Sequence, residues 1–281
     1  MASDDDLSKA IKDTKVVTLD PASSYLIVQT NSASSMYSFG VAFIRRPDQA
    51  DLIDYARRRQ EALGKAHDKW VKRHAQWQAD KAAWEHLPAS AQKGVKKPAE
   101  PVEPNDQNLS FPAIDMENIL PIGPFNRFSK ANGRSTFVQR VKPGRYAFYG
   151  PMIFAQGVGG TCMCMGTVQF EIGPGEIVNA GMMTLSFLDA YQKAKTEGSA
   201  KPKTMFDLPS DIGVIKWAVP DHGSIDDPRL AAFKIIPATL HAAGRIPNYY
   251  GVEIDRLTVI PGILDYDRDR VVDARTGKIV P

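Results

Sequence analysis

The sequence predicts a mainly β protein, α+β overall, in which an antiparallel β-sandwich carries a long helical insertion. Two observations lead to this fold class. Residues 137–181 hold several runs rich in β-branched and aromatic residues, separated by Pro-Gly turns. After Pro47 the composition changes abruptly to Ala, Arg, Lys, Gln and Glu, which favour a helix. With 281 residues, the chain is long enough to bury a core without disulfides.

The central β-unit consists of the runs at residues 137–141, 145–149 and 168–172, with turns at Pro143/Gly144 and Pro174/Gly175. The last run alternates strictly between apolar and polar residues. We expect Val168, Phe170 and Ile172 to face the core and Gln169 and Glu171 to face water, because successive side chains of a strand point to opposite faces.

Further strands are predicted on both sides of this unit. The apolar or β-branched runs that indicate them lie at residues 15–19, 24–30, 36–45, 182–188 and 213–219. Residues 190–203 are polar and predict a loop. Asp226, Asp227 and Pro228 predict the start of a short helix to about residue 234. Residues 271–280 predict a terminal hairpin around Thr276 and Gly277.

Residues 48–86 predict one long helix that starts at Asp48, where a carboxylate can accept hydrogen bonds from free backbone N–H groups. Large or apolar residues recur on it every seven positions and form one face: Ala56, Leu63, Trp70, Trp77 and Trp84. Three tryptophans are too much apolar surface for an isolated helix. We therefore predict Leu63, Trp70, Trp77 and Trp84 as an interaction surface, against the protein itself, a second copy or a protein partner.

The helix ends near Pro88 and is followed by a polar, proline-bearing connector at residues 90–108. The predicted domains are residues 1–47 with 106–281, which form the β-sandwich with a C-terminal extension, and residues 48–105, which form the helical insertion.

Cys162 and Cys164 are the only cysteines of the chain and alternate with Met163 and Met165. On a strand the two cysteines share a face, so they could bind a soft metal such as copper or zinc, take part in redox chemistry, or form a disulfide at the long edge of disulfide geometry. Core packing is the ordinary use of buried Cys and Met and is favoured. We predict reduced, metal-free thiols.

Other candidate sites lack part of their pattern. His67 and His74 lie two helical turns apart and cannot share an ion, so we expect them to be solvated or stacked. His222 and His241 accompany no nucleophile motif. The acidic run at Asp265, Asp267 and Asp269 lacks the Gly and Glu of a calcium loop, so local ion pairs with arginine are expected, and the glycines at residues 157–160 lack the Lys-Ser/Thr of a phosphate loop.

The succession of strand, Pro-Gly-x-Tyr, strand and Pro-Gly-Glu-Ile-Val in residues 136–181, with the Cys-Met-Cys-Met-Gly run, resembles small β-sandwich domains of bacterial envelope lipoproteins and uncharacterised alphaproteobacterial proteins. The resemblance implies a β-sandwich and an envelope context, and it carries no activity or catalytic residue. This chain lacks the lipobox cysteine of the lipoproteins.

These observations predict a non-enzymatic structural or protein-interaction protein of the bacterial cell envelope, with no cofactor. The alternative is a soft-metal or redox protein that uses Cys162 and Cys164. A net charge of +3 does not favour nucleic-acid binding, and no apolar run is long enough for a membrane span. The acidic N-terminus is not a signal peptide. We expect a periplasmic or envelope location if a signal peptide was removed, and the cytoplasm otherwise.

Overall fold

The computed structural model describes residues 8–31, 40–131, 133–154, 158–185, 215–220 and 225–281. The chain divides into two compact units. The first, the β unit, contains residues 1–46 and 118–281, and the second, the helical unit, contains residues 47–117. The second unit therefore ends at Glu117, later in the chain than the connector boundary expected at residue 105.

The strands of the β unit follow from the β-branched and aromatic runs of the sequence. In chain order they are β1 (Ser8–Ala10), β2 (Ser24–Asn31), β3 (Gly40–Arg45), β4 (Ile119–Ile122), β5 (Ser129–Ala131), β6 (Arg134–Val141), β7 (Gly144–Phe154), β8 (Val158–Cys162), β9 (Thr167–Ile172), β10 (Ile177–Leu185), β11 (Ile215–Ala218), β12 (Ile235–Pro237), β13 (His241–Ala243), β14 (Glu253–Ile254), β15 (Leu264–Asp267), β16 (Arg270–Asp273) and β17 (Lys278–Val280).

Two seven-stranded sheets contain most of these strands. The first has the order β1-β6-β2-β10-β11, with β5 beside β6 and β12 beside β10; the second has the order β13-β9-β7-β3-β4, with β8 beside β7 and β14 beside β8. Most neighbours are antiparallel, but β10 runs parallel to β2 and β12, and β14 runs parallel to β8. The protein is mainly β, as predicted, with mixed rather than purely antiparallel sheets.

The main hydrophobic core contains residues from both large sheets, among them Leu26 of β2, Phe43 of β3 and Phe170 of β9. The ring centroids of Phe43 and Phe170 are 5.7 Å apart at an edge-to-face angle. In β9, Val168, Phe170 and Ile172 are buried while Glu171 is exposed. The predicted alternation of this strand is confirmed.

Two predicted elements of the β unit are wrong. Residues 15–19 form no strand, although Leu19 is buried, and the strand that precedes β2 is β1 instead. Residues 226–234 form successive turns rather than a helix. The Asp227 carboxylate accepts the backbone N–H of Arg229, two residues later, at 3.1 Å. This local hydrogen bond offers the chain an alternative to a helical turn.

The predicted terminal hairpin is confirmed by β16 and β17, which pair antiparallel, with β15 on the other side of β16. The acidic run forms one local ion pair with an interleaved arginine, as expected, and one with a distant arginine. Asp267 pairs with Arg270, and Asp269 pairs with Arg245 at 3.2 Å. The predicted loop at 190–203, His222, and parts of the strands predicted at 36–45, 182–188 and 213–219 lie outside the described residues.

The ion pair between Asp227 and Arg229 makes the free energy of unfolding of the β unit depend on pH in the acid range. Hydrogen bonds from the Arg229 guanidinium hold the pKa of its buried carboxyl below the usual value. The ion pair is fully formed above about pH 4, the pKa of an unfolded Asp, and is lost as the pH falls through the lower folded-state pKa. We expect the stability difference between the native protein and Asp227→Asn to shrink below about pH 4. Denaturant unfolding from pH 7 to pH 2 measures this, and a constant difference would contradict it.

The helical unit is organised by α1 (Gln49–Glu85), followed by α2 (Ala89–Gln92) and α3 (Ile114–Glu117). Asp48 caps α1 as predicted, because its carboxylate accepts the N–H of Asp51 while the Asp51 side chain accepts the N–H of Asp48. With 37 residues, α1 is about 55 Å long. No residue of α1 is fully buried, so the unit is not built around a conventional core.

The far end of the helical unit closes onto the first turns of α1. The Tyr55 hydroxyl donates to the backbone oxygen of Pro112 at 2.7 Å, and its ring lies against Phe111. The Arg58 guanidinium binds the Glu117 carboxylate through two hydrogen bonds of 3.0 and 2.6 Å. These contacts explain why the unit continues to Glu117.

Candidate functional site

The predicted interaction face of α1 lies against the chain that returns from the end of this helix. We call residues 93–113 the return segment, and Trp70, Trp77 and Trp84 the tryptophan ladder. Each indole N–H of the ladder donates a hydrogen bond to a backbone oxygen of the return segment: Trp70 to Pro101 at 2.9 Å, Trp77 to Pro98 at 3.2 Å and Trp84 to Val95 at 3.1 Å. The face therefore binds main-chain carbonyl groups at regular intervals.

The regularity follows from two periods that nearly match. Seven residues of an α-helix rise about 10.5 Å. Three residues of a polyproline II chain rise about 9.3 Å and complete one turn, so every third residue faces the same side. Pro98, Pro101 and Pro104 have this spacing and are half-buried, while the residues between them are exposed. One heptad of α1 thus corresponds to one triplet of the return segment.

Two imidazoles alternate with the indoles along this face. Trp70 lies between His67 and His74, with ring centroids 5.4 and 4.9 Å away, and His74 is 5.1 Å from the ring of Trp77. We expected these histidines to be solvated or stacked; their rings lie beside the indoles at tilted angles of 33° to 42°, and His67 is exposed. Their Nε2 atoms lie 3.5 Å from carboxylates of the return segment, His67 from Glu103 and His74 from Glu100.

The carboxylates of the return segment occupy the third position of successive triplets, at Glu100, Glu103 and Asp106. Asp106 forms an ion pair with Arg59 at 2.5 Å. Each of these three acidic residues therefore faces a basic or imidazole side chain of α1. The return segment has the repeat Pro-x-Glu/Asp. Side chains of α1 contact both the backbone carbonyls and the carboxylates of this repeat.

Leu63 belongs to the same face, one heptad before Trp70, and is half-buried. In the register of the ladder its counterpart is Pro104, one triplet after Pro101. The heptad repeat predicted the residues on the helical side of this site, whereas the composition of the return segment indicated only a polar connector. The signal that could have revealed the segment is the spacing of its prolines, which recur every three residues, together with the acidic residue that ends each of these triplets.

Cys162 and Cys164 form a disulfide, with Cα atoms 5.1 Å apart. The prediction of reduced thiols is therefore wrong. The assumption of a continuous Cys-Met-Cys-Met strand also fails, because β8 ends at Cys162 and Cys164 lies in a turn before β9. The turn brings the two residues closer than the 6 to 7 Å of an extended strand and inside the usual disulfide range. In this state neither sulfur is a thiolate that could bind copper or zinc.

Both cysteines are buried beside Tyr149 in a small hydrophobic cluster, while Met163 points into the main core. The backbone N–H of Met163 donates to the Tyr149 carbonyl at 2.7 Å. The Tyr149 hydroxyl accepts the backbone N–H of Tyr249 at 3.0 Å. Burial raises the pKa of the Tyr149 hydroxyl, which keeps it protonated and able to donate to Asn248. Hydrophobic packing and hydrogen bonds to neighbouring residues therefore hold the disulfide turn as a structural element.

The disulfide has a simple chemical test. We expect the denatured protein, taken from acid-quenched native cells, to react with no thiol reagent, and to react at two positions after treatment with a reductant. Intact-mass measurement of iodoacetamide adducts gives the count. Labelling of both cysteines without reductant would show that the pair is reduced in the cell.

Among the described residues, no group of three or more His, Cys, Asp or Glu side chains is arranged to hold a metal ion. His241 lies at the surface, with Nδ1 3.3 Å from the Arg275 guanidinium. In the same part of the chain, no helix is long and apolar enough to cross a membrane.

Comparisons with protein-family models, with curated proteins and with solved structures found no match for this chain. The arguments for its function therefore rest on its own residues.

Proposed function

We propose that this is a non-enzymatic structural or protein-interaction protein of the bacterial cell envelope, in which an envelope-type β-sandwich carries the helical unit as its interacting element. The tryptophan ladder supports this proposal most directly. Aromatic side chains with a polar N–H are the groups that proteins use to bind extended proline-rich chains, because they supply apolar area and a donor to the free carbonyls of such chains. The half-buried state of Trp70, Trp77 and Trp84 leaves part of this surface accessible.

Two further observations support the structural side of the proposal. Residues of both seven-stranded sheets share one hydrophobic core, which supports a sandwich. The disulfide between Cys162 and Cys164 fits an oxidising compartment such as the periplasm. The disulfide turn itself is buried, so it serves the fold of the β unit rather than an exposed reactive site.

Photo-cross-linking in the native bacterium tests the interaction role. Val71 is 48% exposed and flanks the tryptophan ladder, while Val16 is 79% exposed and lies in the β unit. With a benzoylphenylalanine at position 71, we expect irradiation to give a discrete adduct of higher mass, whose second component is identified by mass spectrometry. The same group at position 16 is the matched control. No adduct at position 71, or the same adducts at both positions, would contradict an interaction through the helical unit.

A further inference from the structure

The register between α1 and the return segment contains one mismatched step. Moving along the segment, Glu103 faces His67 and Glu100 faces His74. Continued along the sequence, this register pairs Lys81, one heptad after His74, with Lys97, one triplet before Glu100. At this step, then, the protein's own segment presents a cation where its other triplets present a carboxylate.

In the structure the two lysines have separate partners. The Lys81 ammonium lies 5.1 Å from the ring centre of Trp77 and 4.0 Å from the Glu85 carboxylate on its own helix. The Lys97 ammonium lies over Trp84, 5.8 Å from its ring centre. The same step also lacks a proline, since Trp84 binds the carbonyl of Val95. At Trp70 and Trp77 the own segment therefore presents both Pro and Glu, whereas at Trp84 it keeps the hydrogen bond to the indole but presents neither of them.

We propose that the tryptophan ladder is a recognition site for an extended segment of a partner protein that carries uninterrupted Pro-x-Glu triplets, and that residues 95–106 are its resident, imperfect occupant. This inference rests on the proposed interaction function and names the chemistry of the partner. The indoles bind the backbone carbonyls, and His67, His74 and Lys81 face the glutamates. A partner segment with Pro and Glu at every step offers Lys81 a carboxylate at the position where the own segment has Lys97.

A partner segment can replace the resident segment because the resident segment is held at the surface. None of the α1 residues that contact it is fully buried. The tethered segment still competes with an effective concentration in the range of ~1 mM, so a partner must bind more tightly than the resident segment or engage several steps at once. The mismatch at Lys97 supplies such a difference in favour of the partner.

The first experiment removes the resident occupant from the full-length chain. Residues 95–106 are replaced by a Gly/Ser sequence of equal length, and helicity is checked by circular dichroism. Three synthetic peptides are then titrated, (Pro-Ala-Glu)4, (Pro-Ala-Gln)4 and (Gly-Ala-Glu)4, with tryptophan fluorescence as the readout. We expect saturable binding of the first peptide, at least about tenfold tighter than that of the other two, because only it combines the polyproline II conformation with the carboxylates.

The second experiment uses the intact chain and does not depend on the replacement variant. Lys97→Glu supplies the missing carboxylate opposite Lys81, and Lys97→Gln only removes the cation. We expect Lys97→Glu to protect the backbone amides of residues 93–106 from hydrogen exchange several-fold more than Lys97→Gln does. Equal protection from hydrogen exchange in both variants would show that Lys81 does not bind a carboxylate at this step.

The remaining outcomes overturn the proposal. Equal affinity for the three peptides, or no saturable binding, would mean that the ladder does not recognise Pro-x-Glu chains in trans. Formation of a mixed dimer between the replacement variant and the native protein, measured by sedimentation velocity, would identify a second copy as the occupant. An adduct at position 71 together with no peptide binding would retain the interaction role of the helical unit and reject only the Pro-x-Glu chemistry.

Discussion

Replacing Phe170 with alanine is expected to lower the free energy of unfolding of the β unit by about 3–5 kcal/mol. Phe170 is 1% exposed and its ring packs against Phe43 and Tyr146, at centroid distances of 5.7 and 6.1 Å. Both neighbours are themselves buried, on strands β3 and β7 of the same sheet, so the cavity left by the ring cannot close by moving a single side chain. Denaturant unfolding followed by near-ultraviolet circular dichroism measures the change.

Glu171→Ala is the matched control for this prediction, because Glu171 is the next residue of the same strand and points to solvent. We expect its effect to stay within about 0.5 kcal/mol. Similar effects of the two substitutions, or a loss below about 1 kcal/mol for Phe170→Ala, would contradict the assignment of β9 to the centre of the core.

Replacing both Trp70 and Trp77 with alanine is expected to destabilise the attachment of the return segment to α1 by about 4–6 kcal/mol in total. Each substitution removes a half-buried indole, which contributes roughly 1–2 kcal/mol of apolar burial, and one hydrogen bond of about 1 kcal/mol. The unit has no buried core on α1 that could compensate. We therefore expect residues 93–113 to lose their protection from hydrogen exchange and to become sensitive to proteases.

Two control variants separate the contributions at the ladder. Lys69→Ala with Gln78→Ala changes two exposed positions of the same helix and should leave protection unchanged. Trp70→Phe with Trp77→Phe keeps aromatic rings and removes only the two indole N–H donors, so its loss should be smaller, at about 1–3 kcal/mol. Unchanged hydrogen exchange in the Trp70→Ala/Trp77→Ala variant would refute the packing of the segment on the ladder.

The sequence predicted the elements whose signals are local and periodic. The alternation of Val168, Phe170 and Ile172 placed β9 correctly, and the cap at Asp48 with the heptads of tryptophan located α1 to within a residue or two. Such signals depend only on residues near one another in the chain, so no knowledge of the tertiary fold was needed to interpret them.

The sequence could not predict features that depend on distant partners. The parallel pairing of β10 with β2 joins residues far apart in the chain, and no turn between them reveals its direction. The run at Cys162 to Met165 has the composition of a strand, but the loop that contains Ile246 and Asp255 binds its backbone and fixes it as a turn. That tertiary contact, rather than local propensity, brings the two sulfurs together.

The near match of the two repeats in the helical unit also limits how long such a ladder can be. Each heptad advances about 10.5 Å along α1 and each triplet about 9.3 Å along the return segment. The offset between an indole and its carbonyl therefore grows by about 1.2 Å at each step. After three steps the offset is about 3.6 Å, larger than one residue of the extended chain. Small tilts absorb this over Trp70, Trp77 and Trp84, but not over many more steps. For the proposed Pro-x-Glu partner, this offset sets a length of three or four triplets, and we expect a longer chain to gain no proportionate affinity.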